Sequence, residues 1–576
     1  MYIPGAFNLM CIYLITTKPD RPQIFEEETR ALKLFGYHVY IKGNSGLLSQ
    51  GDQHAVIFFG SALYKKERVT KDNLGSIVEQ VDYHLGLSGR FLIVKITSEK
   101  LEIINSIFGS YPCYINGDNT VISSNANIAR EVAGESISVP GIREKILYYC
   151  NYGESKYTNI TPVQPASVVA IVGSSRFQES YMSEVVRIKD KVTSSEALRD
   201  LAEAIRSNIR SYFPVNSRCK VAVSFTGGRD SRTLLYALHK EGVQDLKAFT
   251  VGNSRDVEYF VGREFTKRFG IKHEIIQPEK IDNNHAQKYA KYFDNINFPS
   301  LYKSQLLTQP SLQSVNVVNT IIPETLLCHM DYFRGEEHPA VNFLRKRVSC
   351  FYSKKLNWKA ETIVKAEQAA IEKWNYLRSM LPNDTVTNIF FGIVTFQAGW
   401  CFNILRPYDI TGEVVCLMED PQIISILGSI PQQEFHDDNL YAKFIKQEFN
   451  AIHDTPTTRQ LELRSLRTIK PKVAFRYAHI IIRGLVFPGS LAGLLKENSR
   501  YIIDAINKKR PLLDIYFGPD ETDTIISGIN EGVYGASRIE KLVAKLKAQR
   551  ILNDYELLTP FCLISLHENN ASVGES

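Results

Sequence analysis

The stretch VAVSFTGGRDSRTLLYAL, residues 221–238, opens as an apolar run, breaks into Thr-Gly-Gly-Arg-Asp-Ser and resumes with apolar residues at helical spacing. Val221 to Phe225 has the composition of a strand buried on both faces. A helix is predicted from Ser231 onward, which leaves Thr226-Gly227-Gly228-Arg229-Asp230 as the connecting loop. Such a loop lies at the carboxyl end of a parallel strand, where open α/β sheets bind ligands.

The residue types in that loop suit a phosphate. Gly227 and Gly228 let the backbone turn sharply and bring N–H groups close to a ligand with no Cβ in the way. The first N–H groups of the following helix lack helical partners and sit at its positive dipole end, which favours an anion. Ser224, Thr226 and Ser231 add hydroxyls. Asp230 is the informative member, because a carboxylate beside an anion-binding loop is repulsive unless a cation joins the two. A magnesium ion bridging Asp230 to a pyrophosphate resolves that conflict. The rival phosphate cradle, Gly-x-x-x-x-Gly-Lys-Ser/Thr, is not found in the chain, and Gly-x-Gly-x-x-Gly is missing at this place.

Working outward, KVAVSF, SRTLLYALHKEG, LKAFTVG, RDVEYFVGREFTKRFG and KHEII alternate strand and helix patterns, the mark of a parallel α/β sheet. Residues 194–213 carry helical periodicity, with Ser194 or Ser195 as the N-cap, and the domain boundary is placed near 190. From Cys11 to about Val172, short β-like runs such as AVIFFG and RFLIVKI are separated by turn clusters, which predicts antiparallel sheet with a few helices. Beyond about 355 the pattern is mainly helical, interrupted by FNILRPYDITGE and SIPQQEFHDD.

At 576 residues the chain is long enough for two or three domains. Its net charge of +6 is spread over 68 basic and 62 acidic residues without a basic block, so nucleic acid is not expected as a partner. Nine scattered cysteines with no Cys-x-x-Cys fit reduced thiols in a cytoplasmic protein. The first residues, MYIPGAFNLM, lack the basic head of a signal peptide, and no apolar run reaches the ~18 residues of a membrane helix. No membrane partner is expected.

The loop resembles the Ser-Gly-Gly-x-Asp-Ser pyrophosphate loop of the asparagine synthetase-like ATP-pyrophosphatase superfamily, with Thr226 in place of the first serine. AFTVGNSRDVEYFVGREFTKRFGIKHEII looks like that family's second strand, acidic-headed helix and next strand, and the resemblance implies that the backbone near Val251 meets adenine. NILRPYDI and IPQQEFHDDNLYAKFIKQEF resemble its helical Arg-Pro and Pro-rich segments. Upstream, LSGRFLIVKI, IFGSYPCYING and TNITPVQPASVVAIVG resemble a class II glutaminase domain. Together these cover most of residues 10–450. The fold they imply is an N-terminal α+β sandwich of the Ntn glutaminase type over 1–190, then a parallel-sheet ATP-pyrophosphatase domain over 191–576, mainly helical from 355.

The chain departs from the family pattern in two places. Class II glutaminases use an amino-terminal cysteine as nucleophile, and position 2 here is Tyr2; only a start at Met10 would expose Cys11. Where the family holds glutamine with Asn-Gly-Glu and a Gly-Asp pair, this chain has Phe59-Gly60-Ser61 and Gly89-Arg90. A degenerate glutaminase fold serving as scaffold or substrate platform is favoured over an active one. In the synthetase half, the family's second Gly-rich acidic loop is matched only by VVNTIIPETLLCHMDYFRGEE, which leaves Glu324 and Asp331 as the available carboxylates and Arg334 as a phosphate contact. Lys470 and Lys472 are candidates for the late basic residue that the resemblance implies.

The resemblance implies an ATP-dependent ligase that adenylates a carboxylate for attack by ammonia or an amine, with Asp230, Glu324 and Lys472 as the catalytic set. The cofactors expected are ATP and Mg2+. The partners expected are a small-molecule or peptide carboxylate and an amine donor, and the chain is a candidate homodimer. The alternatives are a non-catalytic ATP-binding homologue, or a glutamine-hydrolysing asparagine synthase if Cys11 is the true N-terminus.

Overall fold

The computed structural model describes residues within 12–276 and 312–455, with short stretches between them omitted, of which 139–154, 348–359 and 396–404 are the longest. Cys11, Glu324, Lys470 and Lys472 lie outside the described residues.

The strands His54–Tyr64 and Leu87–Thr97 pair antiparallel along their whole length and are buried on both faces. Successive strand side chains point to opposite faces, so this pair feeds two cores. Ala55, Ile57, Phe59, Leu92, Val94 and Ile96 pack with Tyr13, Ile15, Val39 and Ile41 of a second sheet. Val56, Phe58, Phe91 and Ile93 belong to a core that runs on into the rest of the chain. This two-sided burial is why AVIFF reads as a continuous apolar run and not as an alternation.

The two antiparallel sheets form a sandwich. One runs Ile160–Pro162, Tyr114–Asn116, Val121–Ser123, Ile12–Thr16, Tyr37–Lys42, Thr29–Leu34 in spatial order. The other runs Ser175–Ser180, Ser167–Val172, Leu101–Asn105, Leu87–Thr97, His54–Tyr64, Gly46–Gln50. The third sheet is parallel throughout, in the order Lys272–Ile276, Leu246–Val251, Val221–Ser224, Asn316–Val318, Val414–Val415. Helices Arg229–Lys240 and Val257–Phe269 follow its strands in sequence, as the alternation required.

Three local readings change. The helix at 194 is capped by Thr193, not by Ser194 or Ser195. Its hydroxyl accepts from Glu196 N at 3.3 Å, and the Glu196 carboxylate accepts from Thr193 N at 3.0 Å. This is a capping box, which needs the acid three residues after the cap. The helix after the glycine loop begins at Arg229, two residues earlier than its apolar pattern suggested. The region from 355 contains helices Ala360–Met380, Asp384–Gly392, Pro421–Gly428 and Asn439–Glu448, but Val414–Val415 is a strand. Two residues are too few to display a period. No described helix is long and apolar enough to cross a membrane.

Candidate functional site

Val221–Ser224 is the middle strand of the parallel sheet, and its carboxyl end runs into the glycine loop. Phe225 is wholly buried, and its N–H donates to Phe249 O at 2.7 Å. Thr226 is exposed. Gly227 adopts φ +69°, a left-handed conformation in which a Cβ is strained. Gly228 is the N-cap of helix Arg229–Lys240, with φ −69° and ψ 174°, so no side chain caps the first turn. The loop is therefore Phe225–Gly228, and Asp230 stands in the first helical turn, where its charge also suits the helix dipole.

The carbonyls of this loop are held from behind. Thr250 Oγ1 donates to Phe225 O at 2.7 Å, and the same oxygen lies 2.9 Å from His273 Nε2. His273 acts there as the donor, and burial pushes its imidazole down to about 4, so the ring is neutral near pH 7. Ser231 is buried, and its hydroxyl faces back toward Gly228 O at 3.5 Å. The Arg232 side chain also reaches the Gly228 carbonyl, and Arg229 stacks over the Tyr441 ring with 5.2 Å to its centroid. The sequence motif gives neither arginine a role, although both lie within two residues of Asp230.

The structure brings Ser224, Thr226, Gly227, Gly228, Asp230 and Ser231 to one turn. Val251 ends the adjacent strand, in register with Ile276. Asp331 and Arg334 sit in and just after the 3-10 helical turn His329–Phe333, where Lys346 Nζ donates to both of their carbonyls. Among the described residues no group of three or more His, Cys, Asp or Glu could hold a metal by itself. A Mg2+ at Asp230 fits only with phosphate oxygens and water completing its shell, which is the usual way this ion binds beside phosphates.

The other region singled out by the sequence has a different outcome. Ser61 and Arg90 are register partners on adjacent strands. Ser61 is buried, and its Oγ has no hydrogen-bond partner among the described residues. Arg90 is 0% exposed. It donates to both oxygens of Asp409, at 2.6 and 2.9 Å, and stacks on Tyr111 with 4.7 Å to the ring centroid. Burial alone would lower the guanidinium, but the charge and hydrogen bonds of Asp409 outweigh it and hold it protonated. Gly89 makes this geometry accessible: at φ +107°, a Cβ there would lie 2.2 Å from Tyr212 Oη.

Beside this pair the Glu419 carboxylate is also fully buried, accepting from Ser106 Oγ at 2.6 Å, Phe108 N at 3.3 Å and Ser110 Oγ. Its own carbonyl accepts from Gly89 N at 2.6 Å. Burial pushes this carboxyl up to about 7, against the pull of those donors and of Arg90. The positions expected to hold glutamine thus tie the sandwich to the chain around 409–419. Cys113, Cys219 and Cys416 are free thiols.

No protein-family model matches the chain. No curated protein matches it. Among solved structures, it is similar to the allosteric regulatory enzyme of purine biosynthesis, with 10% identity over 50% of this chain and 72% of that one and a TM-score of 0.21. It is also similar to the NH3-dependent NAD synthetase of Campylobacter jejuni, with 14% identity over 33% of this chain and 99% of that one and a TM-score of 0.19. A third is the glutamine phosphoribosylpyrophosphate amidotransferase of B. subtilis, complexed with ADP and GMP, with 10% identity over 47% of this chain and 85% of that one and a TM-score of 0.20. Likeness of this size carries no argument about activity, which rests on the residues of the chain itself.

Proposed function

We propose that this chain is an ATP-dependent, AMP-forming ligase that joins a carboxylate to an amine. One observation carries the reading: a turn with a left-handed glycine at the carboxyl end of the middle strand of a parallel sheet, opening a helix whose first turn holds Asp230. The glycines admit a phosphate close to the backbone, and the N–H groups of the helix opening donate to it. Asp230 would hold a Mg2+ ion, which supplies charge neutralisation when bound.

A substrate carboxylate oxygen bonds to the α-phosphorus of ATP as the bond to pyrophosphate breaks. The amine then adds to the acyl carbon and loses a proton, and AMP leaves. In this scheme the loop holds the leaving pyrophosphate and needs no protein nucleophile, so its contribution is position and field. Val251 is assigned to adenine, and Glu324 and Lys472 to the reacting groups. The N-terminal sandwich is read as a scaffold or substrate platform without glutaminase activity. The Arg90–Asp409 pair supports this, because it commits the Arg90 guanidinium to a carboxylate of the same chain at a position expected to hold glutamine. The nitrogen then comes from free ammonia or from an amine on the substrate.

The test is pyrophosphate release from the full chain with ATP, Mg2+ and a panel of carboxylates and amines, alongside Asp230→Ala. Release that depends on a carboxylate and on Asp230 supports the ligase. Tight ATP binding with no pyrophosphate from any substrate would instead favour a non-catalytic nucleotide-binding homologue.

A further inference from the structure

Arg232 lies in the early part of helix Arg229–Lys240, where a cation is opposed by the helix dipole. It is also buried, at 4% exposed, so its N–H groups need acceptors. Two of them meet main-chain carbonyls. Nε donates to Gly228 O at 3.1 Å, and Nη1 donates to Thr455 O. The helical bond to the same Gly228 carbonyl, from Arg232 N, is long at 3.4 Å, so the side chain reinforces a weak closure of the first turn.

Peptide planarity gives this contact its consequence. In a trans peptide the C=O and the following N–H point in opposite directions. Holding the Gly228 oxygen toward the helix body therefore aims the Arg229 N–H out of the helix end. Thr250 does the same one turn earlier: gripping Phe225 O fixes the plane that carries the Thr226 N–H. Thr455, the second anchor of Arg232, is itself buried and accepts from Arg268 Nη1 at 3.1 Å through its hydroxyl. Arginines from two successive helices thus fasten the residue just after the Asn450–His453 helical turn to the back of the loop.

We propose that Arg232 is the positioning residue of the glycine loop: its guanidinium sets the Gly228–Arg229 peptide and couples the loop to the chain at Thr455. Its importance for turnover rests on the ligase reading above, but its effect on the loop does not. The experiment compares Arg232→Met and Arg232→Lys with the unaltered full chain, without ligand, by hydrogen exchange of the peptide spanning Phe225–Tyr236. Peptides from Leu246–Val251 and Leu87–Thr97 serve as references, and pyrophosphate release is measured in parallel.

The expected result is exchange at least tenfold faster in the 225–236 peptide of Arg232→Met, with both reference peptides unchanged and kcat at least tenfold lower. Arg232→Lys should fall between, because an ammonium keeps the charge but cannot span both carbonyls as a fork does. Unchanged loop exchange in the variants overturns the proposal. So does acceleration spread equally over the reference peptides, which would mean a merely structural loss. Should Arg232→Met not fold, the lysine variant carries the same comparison. Faster loop exchange in a protein that releases no pyrophosphate at all would sink the ligase and leave the positioning role standing. Active enzyme with unaltered loop exchange would do the reverse.

Discussion

At the seam between the sandwich and the parallel sheet, Arg90 is wholly enclosed and meets both oxygens of Asp409. At the loop, Arg229 and Asp230 are only partly buried, Thr226 is exposed, and the helix opens on a glycine that offers no side-chain cap. The seam answers its charge with charge from the same chain. The loop sets peptide donors, a carboxylate and an arginine around a turn that glycine keeps open. Two regions that the sequence marks as polar breaks in apolar runs therefore differ: one is closed by an internal ion pair, and the other is the one proposed to receive a ligand.

The largest expected effect breaks the seam. Arg90→Met should lower stability by about 3–5 kcal/mol, because it strands a buried carboxylate, while Arg90→Met with Asp409→Leu should recover most of that loss. Chemical denaturation of the three proteins measures it, and a cost for Arg90→Met near zero would mean that the seam does not depend on the pair.

Next comes pH. Glu419 has a folded value of about 7 against an ordinary 4.5, so the folded state binds the proton more tightly. Its contribution is complete below pH 4.5 and is lost as pH rises through 7, to the extent of about 3 kcal/mol. Glu419→Gln, which cannot titrate, should therefore lose less stability than the unaltered protein between pH 5 and 8. Parallel curves from thermal melts would remove Glu419 as the cause.

At the loop, Asp230→Ala should cut pyrophosphate release about a hundredfold, equivalent to about 2.7 kcal/mol of barrier, and change stability by less than about 1 kcal/mol. A stability loss comparable to that of Arg90→Met would make Asp230 cohesive too and erase the contrast. The smallest effect is Gly227→Ala, which should cost about 1–2 kcal/mol because a Cβ at φ +69° is strained. An unchanged denaturation midpoint would show that the turn relaxes to another conformation.

How far the sequence reveals each region follows from the reach of the interactions involved. The glycine loop is legible because its requirements are local: a buried strand, two adjacent glycines and a helix opening lie within a dozen residues. Its helix begins at Arg229 and not at the expected Ser231, because a helix can open on polar residues such as Arg229 and Asp230 once a glycine caps it. Thr193 is masked in sequence by its serine neighbours, although Glu196 three residues on carries the capping-box signal. The Arg90–Asp409 pair spans 319 positions, and no periodicity links residues so far apart; at Arg90 the sequence showed only an arginine in place of an expected aspartate. Arg232 was equally invisible, because its acceptors are backbone carbonyls, which no residue type advertises.

The distance between Arg90 and Asp409 also has a consequence during synthesis. At roughly 5–20 residues per second, Asp409 leaves the ribosome roughly 16–64 s after Arg90. Throughout that interval the nascent sandwich carries a cation whose eventual counter-ion has not been made. Enclosing Arg90 before then would bury a charge without its partner, which is costly. The enclosed pair therefore makes the final packing around Arg90 depend on residues that are made much later in the chain.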